Sequence, residues 1–394
     1  MTLLSDPRFT TVFRYSVLFV GTTLFCWGWY GHIDLAVFGD KDLRHYRHMA
    51  AAAPDLAWTV RAPFGFRILP PWLAGLWPGG LDAGFRWGTL LTIGGLAILW
   101  VHWLANWGLS PTEQSVGLLW LLLNPHFVGF PAFNPYQWGD VLTMVLILGM
   151  ALSLFKNKYS QFGFLLLLGA MTREANLLML PVALWYFRKN RVGIKDVWGM
   201  VLLSILALMV FMAIRTGVRV ENQDWHLWGA LSIYARQLAD PVAWGRLLLN
   251  TYAPFSVLLL VWYKPFFRLF KAHPAWGGFG GLVWISCFFG QDKERLLAPT
   301  FFLVYFGILL LFHGLPENHR KTGYWITTCA AFLTSWHHLV ARFPIFPKGI
   351  YFGLSAFLTL VLGFWAWKQK DHLSAQDEGF LKDVGFGVEV NKNT

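Results

Sequence analysis

Residues 161–187 read QFGFLLLLGAMTREANLLMLPVALWYF. Two apolar runs, 161–172 and 175–187, flank the polar step Thr172-Arg173-Glu174. Each run is shorter than the ~20 residues a helix needs to cross a bilayer. The pair therefore predicts a short broken hairpin that enters and leaves on one side. Its charged turn must be buried in protein or line a polar cavity, because lipid cannot satisfy it.

Outward from this hairpin, apolar runs recur along all 394 residues. Only 13% of residues are charged against 56% hydrophobic, where a soluble domain carries about 25% charged. The fold class expected is all-α, a polytopic transmembrane helical protein of about 11–12 hydrophobic segments. Before the hairpin, helices are expected near 14–31, 87–105, 114–127 and 139–155, with a long loop over 32–86. After it they are expected near 196–214, 247–263, 275–290, 296–313, 323–341 and 349–368. Residues 1–368 then form one membrane domain, and 369–394 a short polar tail. Trp27, Trp29, Trp87, Trp138, Trp185, Trp198 and Trp367 fall at segment ends, as an interfacial residue should. No cleavage site follows the first run, so it is read as a retained helix.

Loop charge gives the orientation. Lys156–Lys158, Arg188–Lys195, Lys264–Lys271 and Arg320–Lys321 are basic with few acids, which places them and both termini in the cytoplasm. Nearly half of the 32 lysines and arginines nonetheless fall on the opposite side. They either pair with the acids there or bind an anion. The net charge of +11 comes without a basic tail or an aromatic-interleaved basic repeat. Anionic lipid headgroups and an anionic substrate are the partners expected, and nucleic acid is not. Cys26, Cys287 and Cys329 lack metal-ligand spacing, and the histidines make no clear set. No metal site and no cofactor are assigned, although a divalent metal stays open.

Five stretches could carry chemistry. Gly39–Ala50 holds Asp40, Asp42 and Tyr46, and on a helix Asp42 and Tyr46 share a face. Two nearby carboxylates can leave one as a general base, and the same pattern suits a capped interfacial helix. Arg61–Leu73 places Arg67 ahead of a short interfacial helix marked by Leu69, Trp72, Leu73 and Leu76. Asn134–Asp140 puts Asp140 at a helix start, answering the dipole or touching substrate. Arg173 and Glu174 form the hairpin tip. Gln291–Pro299 offers Lys293 and Arg295 to a phosphate, with Glu294 fixing Arg295.

In order and placement these elements resemble the GT-C superfamily of integral membrane glycosyltransferases. The match rests on Asp42-x-x-x-Tyr46, Arg67-Ile-Leu-Pro-Pro71, Asp140, the Thr172-Arg173-Glu174 turn and Glu294-Arg-Leu-Leu-x-Pro299, across about residues 10–345. The resemblance implies a GT-C-like fold with amphipathic helices in the first outer loop. It also implies a polyprenyl-phosphate sugar donor and a glycan, lipid or protein acceptor on the non-cytoplasmic face. Asp42, or Asp40 in its place, becomes the general base on the acceptor hydroxyl. Arg67, Arg173, Lys293 and Arg295 become the donor-phosphate residues, with Tyr46, Asp140, Glu174 and Glu294 around the substrate. The chain departs from many members in its short tail and in Lys41, which separates Asp40 from Asp42. A bacterial inner membrane fits the lack of Asn-x-Ser/Thr sites.

A secondary transporter or lipid-linked sugar flippase is the rival reading, and an assembly factor the third. The enzyme reading expects one cavity holding Asp40, Asp42, Arg67, Arg173 and Arg295.

Overall fold

The computed structural model describes residues 7–33, 43–57, 60, 64–217, 239–287, 293–335 and 347–375. All regular structure among them is helical. Asp40 and Asp42, and with them the proposed base, lie outside the described residues.

The first half runs α1 (Pro7–Tyr30), α2 (Leu43–Ala52), α3 (Leu69–Gly75), α4 (Leu81–Asn106) and α5 (Pro111–Leu123). Next come α6 (Trp138–Phe155), α7 (Tyr159–Thr172), α8 (Met179–Asn190) and α9 (Ile194–Gly217). The second half runs α10 (Pro241–Tyr252), α11 (Phe255–Val261), α12 (Tyr263–Ala272) and α13 (Pro274–Cys287). It closes with α14 (Phe301–His313), α15 (Glu317–Thr334) and α16 (Lys348–Ala375).

Among the described residues, four stretches of helix are long and apolar enough to cross a membrane, and a bent pair makes a fifth. By length and composition they suit membrane spans, though fewer are full-length than the 11–12 apolar runs suggested. The reason is that several runs are split. The expected span 114–127 ends at Leu123, because Asn124 turns the chain. Its Oδ1 accepts from the His126 and Phe127 amides, while its Nδ2 donates to Tyr305 and to the Thr251 carbonyl. The axis bends by 60° there, and the side chain satisfies backbone groups that the broken helix leaves open. The expected span 247–263 is broken at Pro254, which cannot donate to a helix interior. The basic stretch 264–271, expected as a loop, is helix α12. The last helix runs on to Ala375, past the expected start of the tail at 369.

Helix α6 is the axis of the fold. Of its apolar window 78% is buried, against 28% for α9 and 22% for α16. The central helix is packed by protein, and the other two turn apolar side chains outward. On α9 these include Leu202, Ile205 and Met209, and on α16 Phe357, Leu360 and Phe364. A fully outward apolar face belongs in lipid.

Helices α7 and α8 form the hairpin expected from the sequence. The Asn157 side chain, just before α7, accepts from Tyr159 and from Tyr186 near the end of α8. The Tyr159 and Phe187 rings meet edge to face at 5.1 Å. Both arms therefore return to one end of the bundle, the end of α6 that finishes at Phe155.

Candidate functional site

The opposite end of α6 begins at a one-turn 3-10 helix, Pro135–Gln137. It is anchored to α4 by Thr89, which donates to the Pro135 carbonyl at 2.9 Å, and by Trp138, which donates to Thr92 at 2.7 Å. Asp140 follows in the first turn of α6, where a carboxylate suits the helix dipole. Only 5% of its side chain is exposed, so it needs cationic partners.

Two arrive from distant chain. Arg173 leaves α7 in extended conformation and donates to Asp140 Oδ1, with its own side chain equally buried. Arg295, on the one-turn helix Lys293–Leu296, reaches Oδ2 at 3.4 Å. Its guanidinium also lies 4.8 Å from the Phe130 ring centre, beyond the bend of α5. Arg295 thus meets Asp140, a partner far away in the chain. Glu294 and Lys293 lie within electrostatic reach of Cys287 at the end of α13.

The turn holding Arg173 is stapled from inside. Asn176 donates to the Arg173 carbonyl at 3.0 Å and to the Gly169 carbonyl at 3.2 Å. A Cβ on Gly169 would lie 2.6 Å from that of Asn176, so only glycine allows the close approach.

The first-loop helices close over this end on an apolar cluster of their own, including Leu43, Tyr46, Met49, Ile68, Phe85, Tyr136 and Trp138. Arg67 projects from the turn between Phe64 and α3. It donates to the Tyr46 hydroxyl at 3.2 Å and lies 4.0 Å from the Glu174 carboxylate. Burial opposes its charge, but Tyr46, Glu174 and Asp140 more than offset this and raise its pKa above the ordinary arginine value. Its Nε is buried without a hydrogen-bond partner among the described residues.

A fourth arginine was not singled out in the sequence. Arg215, in the last turn of α9, lies 4.5 Å from the ring centres of both Phe66 and Phe211. It is within electrostatic reach of Glu174, and its Nε is also buried and without a partner among the described residues. Sequence offered only its place near the end of an apolar run.

Among the described residues, four arginines from four separate elements thus meet two carboxylates. Arg67, Arg173, Arg295, Asp140, Glu174 and Tyr46 come together. Chemically such a cluster can hold an anion of more than one charge, because guanidinium groups fixed by packing need no rearrangement to receive it. Among the described residues no group of His, Cys, Asp or Glu could hold a metal ion.

The chain matches no family model, no curated protein and no solved structure.

Proposed function

We propose that the protein is a membrane glycosyltransferase that uses a polyprenyl-phosphate sugar donor. The observation that carries this reading is the meeting of Arg173 and Arg295 on Asp140 at one end of α6, with Arg67 held beside them by Tyr46 and Glu174. In this reaction an acceptor hydroxyl of a glycan, lipid or protein attacks the sugar's anomeric carbon. The bond from that carbon to the phosphate oxygen breaks, and the electron pair leaves with the phosphate. Charge grows on the phosphate in the transition state, where fixed guanidinium groups stabilise it most. Asp42, or Asp40 in its place, takes the acceptor proton. Asp140 and Glu174 hold the arginines apart and aimed, and Tyr46 orients Arg67. The arginine end faces the non-cytoplasmic side of a bacterial inner membrane, with both termini in the cytoplasm and the product in the cell envelope.

The test is turnover of polyprenyl-phosphate sugars by the purified protein in lipid, wild type beside Asp42→Asn. Sugar release by wild type alone supports the enzyme and a first-loop base. Equal donor binding by both, with no release by either, replaces it with a transporter or flippase of the same lipid-linked sugar. No binding of any donor removes both.

A further inference from the structure

We propose that helix α12 is a docking surface for the headgroups of anionic phospholipids, at the end of the bundle opposite the arginine cluster. The sequence of α12 is YKPFFRLFKA. Three stripes run along it at helical spacing. Phe266 and Leu269 face inward and seat the helix on α14 at Gly307, where an added Cβ would lie 2.7 Å from the Phe266 ring. Tyr263 and Phe267 face outward and are 50% and 66% exposed. Lys264, Arg268 and Lys271 form the third stripe, four and three residues apart, and all three are exposed.

A helix with apolar side chains packed inward, aromatic rings exposed and one basic edge is built to lie flat in a headgroup layer. Rings of this kind favour the interface, and the basic stems carry their charge out to the phosphates. The chain supplies no local competitor, since no Asp or Glu occurs between Asp240 and Asp292.

The position of α12 agrees with this. His273, the residue after it, lines a small cleft together with Leu154 and Phe155 at the end of α6 and Lys189 and Asn190 at the end of α8. Helix α6 is 18 residues long, which spans about 27 Å, close to the thickness of a bilayer's hydrocarbon core. The residue before α12, Trp262, donates to the Ala366 carbonyl of α16. That brings Phe364 and Trp367, with Lys368 and Lys370 over their rings, to the same level. The basic stripe is therefore one segment of an aromatic and lysine belt that borders the outward apolar faces. Continuity with a lipid-facing surface favours a lipid headgroup over an acidic protein segment.

Each basic side chain near an anionic surface strengthens association roughly fivefold, less as salt screens it. Native mass spectrometry of the purified full chain, titrated with phosphatidylglycerol or phosphatidylcholine, reads the preference directly. Wild type is expected to bind phosphatidylglycerol about tenfold more tightly than phosphatidylcholine at low salt. The K264Q/R268Q/K271Q variant should lose that preference while keeping the wild-type circular dichroism spectrum. K321Q, whose charge is already paired with Glu317, should keep it. A triple variant that still prefers phosphatidylglycerol overturns the assignment, as does a wild type with no preference. Polyglutamate that binds the stripe and is not displaced by phosphatidylglycerol would make the surface a protein-docking site instead.

Discussion

Among the described residues, two carboxylates are buried at helix starts, and they are surrounded differently. Glu113, near the start of α5, sits in a closed knot. Its Oε2 accepts from the Ser110 amide and hydroxyl, both at 2.8 Å. Its Oε1 accepts from His313 at 2.8 Å, Tyr324 at 3.1 Å and Arg320 at 3.4 Å. That knot ties α5 to the end of α14 and to α15, and leaves the carboxylate no lone pair to offer. Asp140 instead meets two arginines, with two more nearby whose buried Nε atoms have no acceptor among the described residues. Saturation marks a structural clamp, and unspent donors mark a place prepared for something else.

The comparison can be broken most directly at Arg67. Arg67→Met should lower sugar release by about a hundredfold or more, the effect of removing one fixed donor from a developing charge. It should leave thermal unfolding close to wild type, because its nearest carboxylate, Glu174, is 44% exposed. Unchanged turnover would reduce the arginine cluster to a second clamp. Glu113→Gln should do the opposite. Its loss of charge-assisted bonds is expected to cost about 2–3 kcal/mol of stability. Turnover per folded molecule should not move, and a selective loss of activity would erase the distinction drawn between the two carboxylates.

Gly169→Ala tests the staple behind Arg173. The overlap with Asn176 should cost about 1–3 kcal/mol and lower turnover as well, because the turn that carries Arg173 must shift. A loss of stability with full activity would mean that the turn tolerates displacement. The smallest effect is expected at the exposed pair of Glu317 and Lys321, both about two-thirds exposed. Lys321→Gln should leave melting and turnover unchanged, since solvent and salt screen such pairs.

What could be read from sequence follows from what each feature depends on. The hairpin was legible because two apolar runs too short for a bilayer flank a charged step. Asp140 was visible as a charge at a helix start and Arg173 as a costly ion in an apolar hairpin, but their pairing, 33 residues apart, was not. Arg295 was visible, but its approach to Asp140, 155 residues earlier, was not, because local charge is all that sequence shows. The knot at Glu113 announced only its local half, the Ser-x-x-Glu cap at Ser110, while His313, Arg320 and Tyr324 lie some 200 residues on. The breaks at Asn124 and Pro254 had their signals in Asn-Pro and Ala-Pro steps, overridden by the apolar runs around them. Helix α12 was hidden by its charge, which reads as a loop until the spacing of Lys264, Arg268 and Lys271 is laid on a helical wheel.

The hairpin of α7 and α8 also constrains how the chain is made. Because its two arms finish at the same end, it leaves the parity of membrane crossings unchanged, and every later segment keeps the orientation it would have without it. Neither arm is long enough to settle across a bilayer alone, and its tip carries a guanidinium that lipid rejects. Synthesis runs from the N-terminus, so Asp140 is in place before Arg173 emerges, while Arg295 follows 155 residues after Asp140. The earlier carboxylate is the partner that lets the hairpin dock, and the last arginine can join only once most of the bundle exists.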